Sequence, residues 1–166
     1  MAWQEKIVRK AYPVISSEGL TNIFVENYLA EHCHTFRGVF SADRIPNILA
    51  LEKRFSIVVN LSNYGEIGSH FIAIIVFEDH VIYIDVLGEE CTNKHIKKYL
   101  DYLRKPIQSN IRKIQSNTSR CCGFFAIVYV MYFERPTVIE IVFHRGEQNL
   151  YRNDDLCIQY IIALRQ

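Results

Sequence analysis

The sequence contains no apolar run long enough to span a bilayer, and residues 1–19, MAWQEKIVRKAYPVISSEG, contain no apolar signal core. It also lacks a charge imbalance. Lys and Arg total 19 and Asp and Glu 18, a net charge of +1, so no whole-chain argument for nucleic acid exists. The five cysteines, Cys33, Cys91, Cys121, Cys122 and Cys157, include no CxxC pair. An odd count argues against a disulfide framework, and the adjacent Cys121 and Cys122 are poorly placed to bond each other. A zinc site built on His32, Cys33 and His34 is a poor candidate because consecutive side chains diverge, so no metal is expected. Repeats, linkers and low-complexity tracts are absent too. These absences leave a soluble, monomeric, intracellular protein in a reducing compartment, with residues 1–166 forming one domain and no membrane partner.

What is present suits a folded core: 49% of residues are hydrophobic and 22% charged. LTNIFVENYLAEH has helical spacing over about residues 20–32. RGVFSADRIP reads as a short extended piece and a turn closed by Pro46, and FSIVVNLS as a strand. SHFIAIIVF and HVIYIDVLG are two more strands, rich in β-branched and aromatic residues and separated only by a turn. They predict an antiparallel hairpin, apolar on both faces and therefore covered on both sides. TNKHIKKYLDYLRKP predicts a helix capped by Thr92 or Asn93, with Ile96, Tyr99, Leu100 and Leu103 as its buried stripe and Pro106 beyond its end. IRKIQ suits an edge strand. CCGFFAIVYVMYF is long for a strand and follows cap-like residues 117–119, so it predicts a buried helix. TVIEIVFH and NDDLCIQYIIAL complete the chain as helices, the second capped by Asn153. The fold class is α+β, a small, mostly antiparallel sheet flanked by helices.

Chemistry concentrates where QSNTSR meets CCGFF. A thiolate at a helix N-terminus faces unpaired N–H groups and the positive end of the dipole, which favours its ionised form. Gly123 beside it would let a substrate backbone approach, lining a cleft. A lone cysteine is more often a small core residue; the case strengthens only with partners. His70 stands at the mouth of an apolar strand and is a candidate base. Asp85 lies inside VIYIDVLG, where a carboxylate is costly unless paired. If the hairpin turns on Glu78 and Asp79, Phe77 faces His80 and Asp85 falls opposite Ile72. His70 is then diagonal to Asp85 on the same face. A three-residue turn would instead point Asp85 away, so the pattern permits the pair without fixing it. Gln115, seven positions before Cys122, could donate an amide hydrogen to a developing oxyanion.

These residues carry a resemblance. GSHFIAIIVF…YIDVLG…IQSNTSRCCGFF, with the flanks FRGVFSADRIP and NLYRNDDLCIQYI, resembles the adenain-like cysteine proteases of adenoviruses, Maverick/Polinton elements and related DNA viruses. More distantly it resembles the SUMO-specific proteases. The family pattern falls on His70-Phe71, Asp85, Gln115 and Cys122-Gly123. The resemblance implies a papain-like core with the nucleophile opening a buried central helix. Cys122, His70 and Asp85 would be the catalytic triad, Gln115 the oxyanion-hole residue, and Phe71 and Gly123 part of the substrate cleft. It further implies a thiol endopeptidase that matures virion precursor proteins at Gly-containing sites, in the host nucleus and virion. The chain departs from adenain in having Asp85 where that enzyme has Glu, and in having no cysteine between Thr92 and Ser119 to hold a disulfide-linked activating peptide. No cofactor is required on this view, with DNA or an activating peptide as accessories by analogy.

Residues 91–120 hold eight basic side chains against one acid, Asp101. Lys94, Lys97, Lys98, Lys105, Arg112 and Lys113 are either a solvated face or a patch for non-specific DNA. The competing functions are removal of ubiquitin-like modifiers by the same residues, and a non-catalytic binding module that retains the fold. The intact set His70, Asp85, Gln115 and Cys122 argues against the second.

Overall fold

A computed structural model describes residues 19–110, 112–117, 120–134 and 150–163. The chain opens with helix α1 (Asn22–His32), capped by Thr21, whose hydroxyl accepts the Phe24 N–H at 3.2 Å. Strand β1 (Phe36–Ser41) follows, then two short 3₁₀ turns, Ala42–Arg44 and Asn47–Leu51. Strands β2 (Phe55–Asn60), β3 (Phe71–Val76) and β4 (Val81–Ile84) form the centre of the sheet. Helix α2 (Lys94–Leu103) and edge strand β5 (Ile107–Ser109) come next, then α3 (Cys122–Glu134) and α4 (Leu150–Ala163).

The five strands lie in chain order. The two inner pairings, β2–β3 and β3–β4, are antiparallel; both outer ones are parallel. The hairpin turns on Glu78 and Asp79, with Phe77 N–H donating to the His80 carbonyl at 2.8 Å. Its register pairs Val76 with Val81 and Ala73 with Ile84. Continuing it sets Asp85 opposite Ile72, as the two-residue turn requires.

Strand β3 is buried along its whole length because alternate residues face different core layers. Phe71, Ala73 and Ile75 join the layer built with α1, α3 and α4. Ile72, Ile74 and Val76 join the layer closed by α2 through Ile96, Tyr99, Leu100 and Leu103. Helix α3 is apolar around most of its circumference because it is enclosed by β3, α1 and α4. Burying side chains such as Phe125 and Ile127, both 0% exposed, contributes roughly 1.5–3 kcal/mol each. Of the two residues proposed as the α2 cap, Asn93 takes the role: its Oδ1 accepts His95 N–H at 3.0 Å and Ile96 N–H at 3.3 Å.

Two sequence expectations need correction. The edge strand is IQS, not IRKIQ. Past β5 the chain bends around the end of the sheet, because the Ile114 and Gln115 N–H groups both donate to the Val86 carbonyl, at 2.8 and 3.0 Å. Asn153 does not cap α4; the helix begins at Leu150, and the Asn153 amide is buried and donates to the Ile114 carbonyl at 3.0 Å. The helix expected over TVIEIVFH lies outside the described residues, as do residues 118 and 119.

Candidate active site

His70 is the last residue before β3, and its carbonyl accepts the Leu61 N–H at 2.9 Å. That bond closes the neck of loop 61–69. Asn60 holds the same neck: its Oδ1 accepts Ser62 N–H at 3.0 Å and Ser69 N–H at 3.4 Å, and its Nδ2 donates to Asn22 at 3.3 Å. The imidazole is thereby fixed from its own backbone outward.

Asp85 lies one residue past β4. Its Oδ1 is 2.8 Å from His70 Nε2 and accepts the Leu87 N–H at 2.9 Å. Both side chains are largely shielded, His70 at 12% and Asp85 at 4% exposure. Asn110 pins the Asp85 backbone from the other side. Its Oδ1 accepts Asp85 N–H at 2.7 Å, and its Nδ2 donates to the Asp85 carbonyl. The side-chain amide thus continues the β4–β5 ladder where β5 has ended. Gly88 finishes the turn at φ +71°, with its N–H on the Asp85 carbonyl at 2.9 Å. A Cβ there would stand 2.6 Å from the Lys113 nitrogen, so glycine lets the 112–113 backbone close against the turn.

Cys122 is the first residue of α3 and half-buried, whereas Cys121 is buried in the core layer. The His70 ring also interacts with the Cys122 thiol. Burial pulls the imidazole pKa down, but the hydrogen bonds to Asp85 and Cys122 and their negative charges outweigh it and raise it to about 9. The arrangement therefore favours the imidazolium form of His70 at neutral pH. By contrast, burial, with Cys121 and Asp154 nearby, pushes the Cys157 thiol well above its ordinary range.

Gln115 is buried at 3% exposure on the segment that the Val86 carbonyl anchors, one residue beyond Asp85. The structure thus draws His70, Asp85 and Cys122 together and ties the Gln115 segment to the turn that carries Asp85.

The expectation that Gly123 and Phe71 line the cleft requires correction. Both are buried, and a Cβ on Gly123 would meet Leu20 Cβ at 3.0 Å and Phe71 Cδ2 at 3.3 Å. Glycine there lets α3 pack closely against β3 and the chain ahead of α1.

The six basic residues lie on three separate segments. Lys94, Lys97 and Lys98 are exposed on α2. The start of that helix lies by Leu61, whose carbonyl accepts from Asn93 at 3.2 Å. Lys105, beyond its other end, donates to the Phe77 carbonyl at 2.7 Å near the hairpin turn. Lys113 donates to Asn117 on the loop before α3, and Arg112 is exposed beside it. Lys94 and Lys105 thus stand at opposite ends of α2. Among the described residues, no group of three or more His, Cys, Asp or Glu side chains could hold a metal.

Asn60 and Asn110 went unnoticed in the sequence. Asn60 bonds to the backbone of its own loop and to the distant Asn22 side chain, and Asn110 to the Asp85 backbone 25 residues away; an Asn ending a strand run is the only trace.

No protein-family model and no curated protein matches the chain. Among solved structures, the ASFV pS273R protease aligns over 86% of this chain and 69% of its own, with 12% identity and a TM-score of 0.53. The SUMO protease Ulp1 aligns over 98% and 95%, with 11% identity and a TM-score of 0.47. The Chlamydia abortus effector ChlaDUB aligns over 82% and 69%, with 15% identity and a TM-score of 0.45. The first of these likenesses shows the fold: an α+β, adenain-like cysteine-protease fold.

Proposed function

We propose that the chain is a thiol endopeptidase in which Cys122 is the nucleophile, His70 the acid–base and Asp85 the group that orients the ring. The observation that carries this reading is the His70 imidazole held between Asp85 at 2.8 Å and Cys122 at the head of a buried helix. The Cys122 thiolate attacks the scissile carbonyl carbon, and the electron pair moves onto oxygen. The Gln115 amide and the Cys122 backbone N–H stabilise that oxyanion. Collapse of the adduct expels the amine, which takes its proton from the His70 imidazolium, and leaves a thioester. His70, now neutral, accepts a proton from water as the water attacks; the acid is released and the thiolate returns. Asp85 keeps the ring oriented and its positive charge compensated throughout.

The fold shared with a viral protease and the resemblance to the adenain-like family support virion precursor proteins as substrates, cut at Gly-containing sites. The chemistry needs a reduced thiol, so a reducing intracellular setting goes with the proposal. In the test, the protein is incubated with Gly-containing precursor peptides and, separately, with ubiquitin-like probes. Peptide cleavage that disappears in Cys122→Ala, by about 10⁴-fold or more, is the expected result. An alkylating agent at mildly acidic pH should label Cys122 before Cys33, Cys91, Cys121 and Cys157. Processing of the ubiquitin-like probes alone would replace the substrate class. Even labelling of all five thiols, with no turnover, would sink the enzyme reading.

A further inference from the structure

The mechanism above leaves one buried carboxylate unused. Asp154 is 5% exposed, in the second turn of α4, and neighbouring Asn153 is 0% exposed. Both turn toward the segment that carries Gln115. Asp154 Oδ2 accepts the Ser116 hydroxyl at 2.7 Å, and its Oδ1 lies at the long limit of 3.5 Å from the Ser116 N–H. Asn153 Nδ2 donates to the Ile114 carbonyl at 3.0 Å. The residues on either side of Gln115 are thus held by α4. On the opposite side, the Ile114 and Gln115 N–H groups are held by the Val86 carbonyl.

Burying a carboxylate is costly, and its contacts must offset that cost. An apolar residue would pack α4 without that cost. What the carboxylate provides is direction. It fixes the backbone at Ser116 while Asn153 fixes it at Ile114, which leaves the Gln115 backbone little freedom to rotate. An oxyanion donor acts only when aimed at the place where charge develops, and small misplacements reduce its effect steeply.

We infer that Asp154, assisted by Asn153, is a positioning residue that aims the Gln115 amide at the oxyanion, making the C-terminal helix part of the catalytic apparatus. The inference rests on the thiol-protease reading above. It requires that Asp154 act through Gln115, and leave the His70–Cys122 pair alone.

The test uses the full chain and a fluorogenic peptide amide ending in Gly-Gly. Asp154→Ala should lower kcat about tenfold with KM unchanged. Iodoacetamide alkylation of Cys122, which forms no oxyanion, should keep its parent rate. Inhibition by the matching peptide aldehyde, whose adduct places an oxygen in the oxyanion site, should weaken by the same factor as kcat. Asp154→Asn should recover most of the loss, since its amide can accept from the Ser116 N–H and donate to the Ser116 oxygen. In a Gln115→Ala background, Asp154→Ala should cost nothing further. If Asp154→Ala does not fold, Ser116→Ala removes the shorter contact from the other side and should give the same pattern in weaker form.

Parent-like kcat in folded Asp154→Ala or Ser116→Ala would overturn the inference. So would a loss of equal size in the Gln115→Ala background, or alkylation slowed along with turnover. Each of those results leaves the protease reading intact. A parent protein that neither turns over the peptide nor alkylates preferentially at Cys122 would instead overturn that reading, and this inference with it.

Discussion

Helices α2 and α3 cover opposite faces of the same sheet, yet only α3 carries chemistry. Helix α2 is amphipathic: Ile96, Tyr99, Leu100 and Leu103 close the core while Lys94, Lys97 and Lys98 face water. Helix α3 has no comparable solvent face. Phe124, Phe125, Ile127, Val128 and Val130 are each 3% exposed or less, and α1, α4 and β3 enclose it. A covering helix can shift slightly at little cost. A helix packed on several sides cannot, and its first residue is therefore a fixed point in space. The lesson is that a nucleophile is best placed at the end of the element with the fewest alternatives.

Gly123→Ala is the sharpest way to break this comparison. The added methyl would press on Leu20 and Phe71, at 3.0 and 3.3 Å, where α3 meets β3. We expect a stability loss of about 1–3 kcal/mol and a fall in kcat as Cys122 moves from His70. Thermal melting and peptide cleavage measure the two. A variant as stable and active as the parent would mean that α3 has slack at its head.

The next effect depends on pH. The His70 pKa is raised from 6.5 to about 9, so the folded state binds this proton more tightly than the unfolded state does. The resulting stability is fully present below pH 6.5 and is lost as pH rises through about 9. Activity should decline over the same alkaline limb as the imidazolium disappears. Denaturant melts of parent and Cys122→Ala across this range test the assignment. Removing the Cys122 side chain should lower the His70 pKa and flatten the dependence, and an unchanged curve would place its origin elsewhere.

The smallest effect is expected on α2. Replacing Lys94, Lys97 and Lys98 with Glu should leave cleavage of a short peptide at the parent rate, because their charges lie across the sheet from the thiol. Any sequence-independent DNA binding that weakens from about 50 to 200 mM salt should be lost in the same variant. A fall in peptide cleavage would show that the two faces are coupled.

The sequence made the hairpin legible through strand alternation but left two registers open; the two-residue turn is the one that puts His70 within reach of Asp85. Asn93 was legible because capping is local. The failures share one cause, contact between distant segments. IRKIQ has strand composition, but its last two backbone donors, at Ile114 and Gln115, are drawn to Val86. Asn153 has the chemistry of a cap, but its partner is Ile114, 39 residues away. Gly123 suggested an open floor, and only packing shows Leu20 and Phe71 lying against it. The six basic residues are near one another in sequence, yet they fall on α2, beyond its end and on the loop before α3.

The Val86 carbonyl accepts two N–H groups, from Ile114 and Gln115, while the preceding residue, Asp85, accepts the bond from His70. The acid and the amide are therefore not independent parts. Residues 85–88, Asn110 and residues 112–116 form a single cassette, cross-stitched by Asn110 and closed at Gly88. Anyone transplanting this site to another scaffold would have to carry both pieces as one graft, because either alone would arrive without the surface against which it is folded.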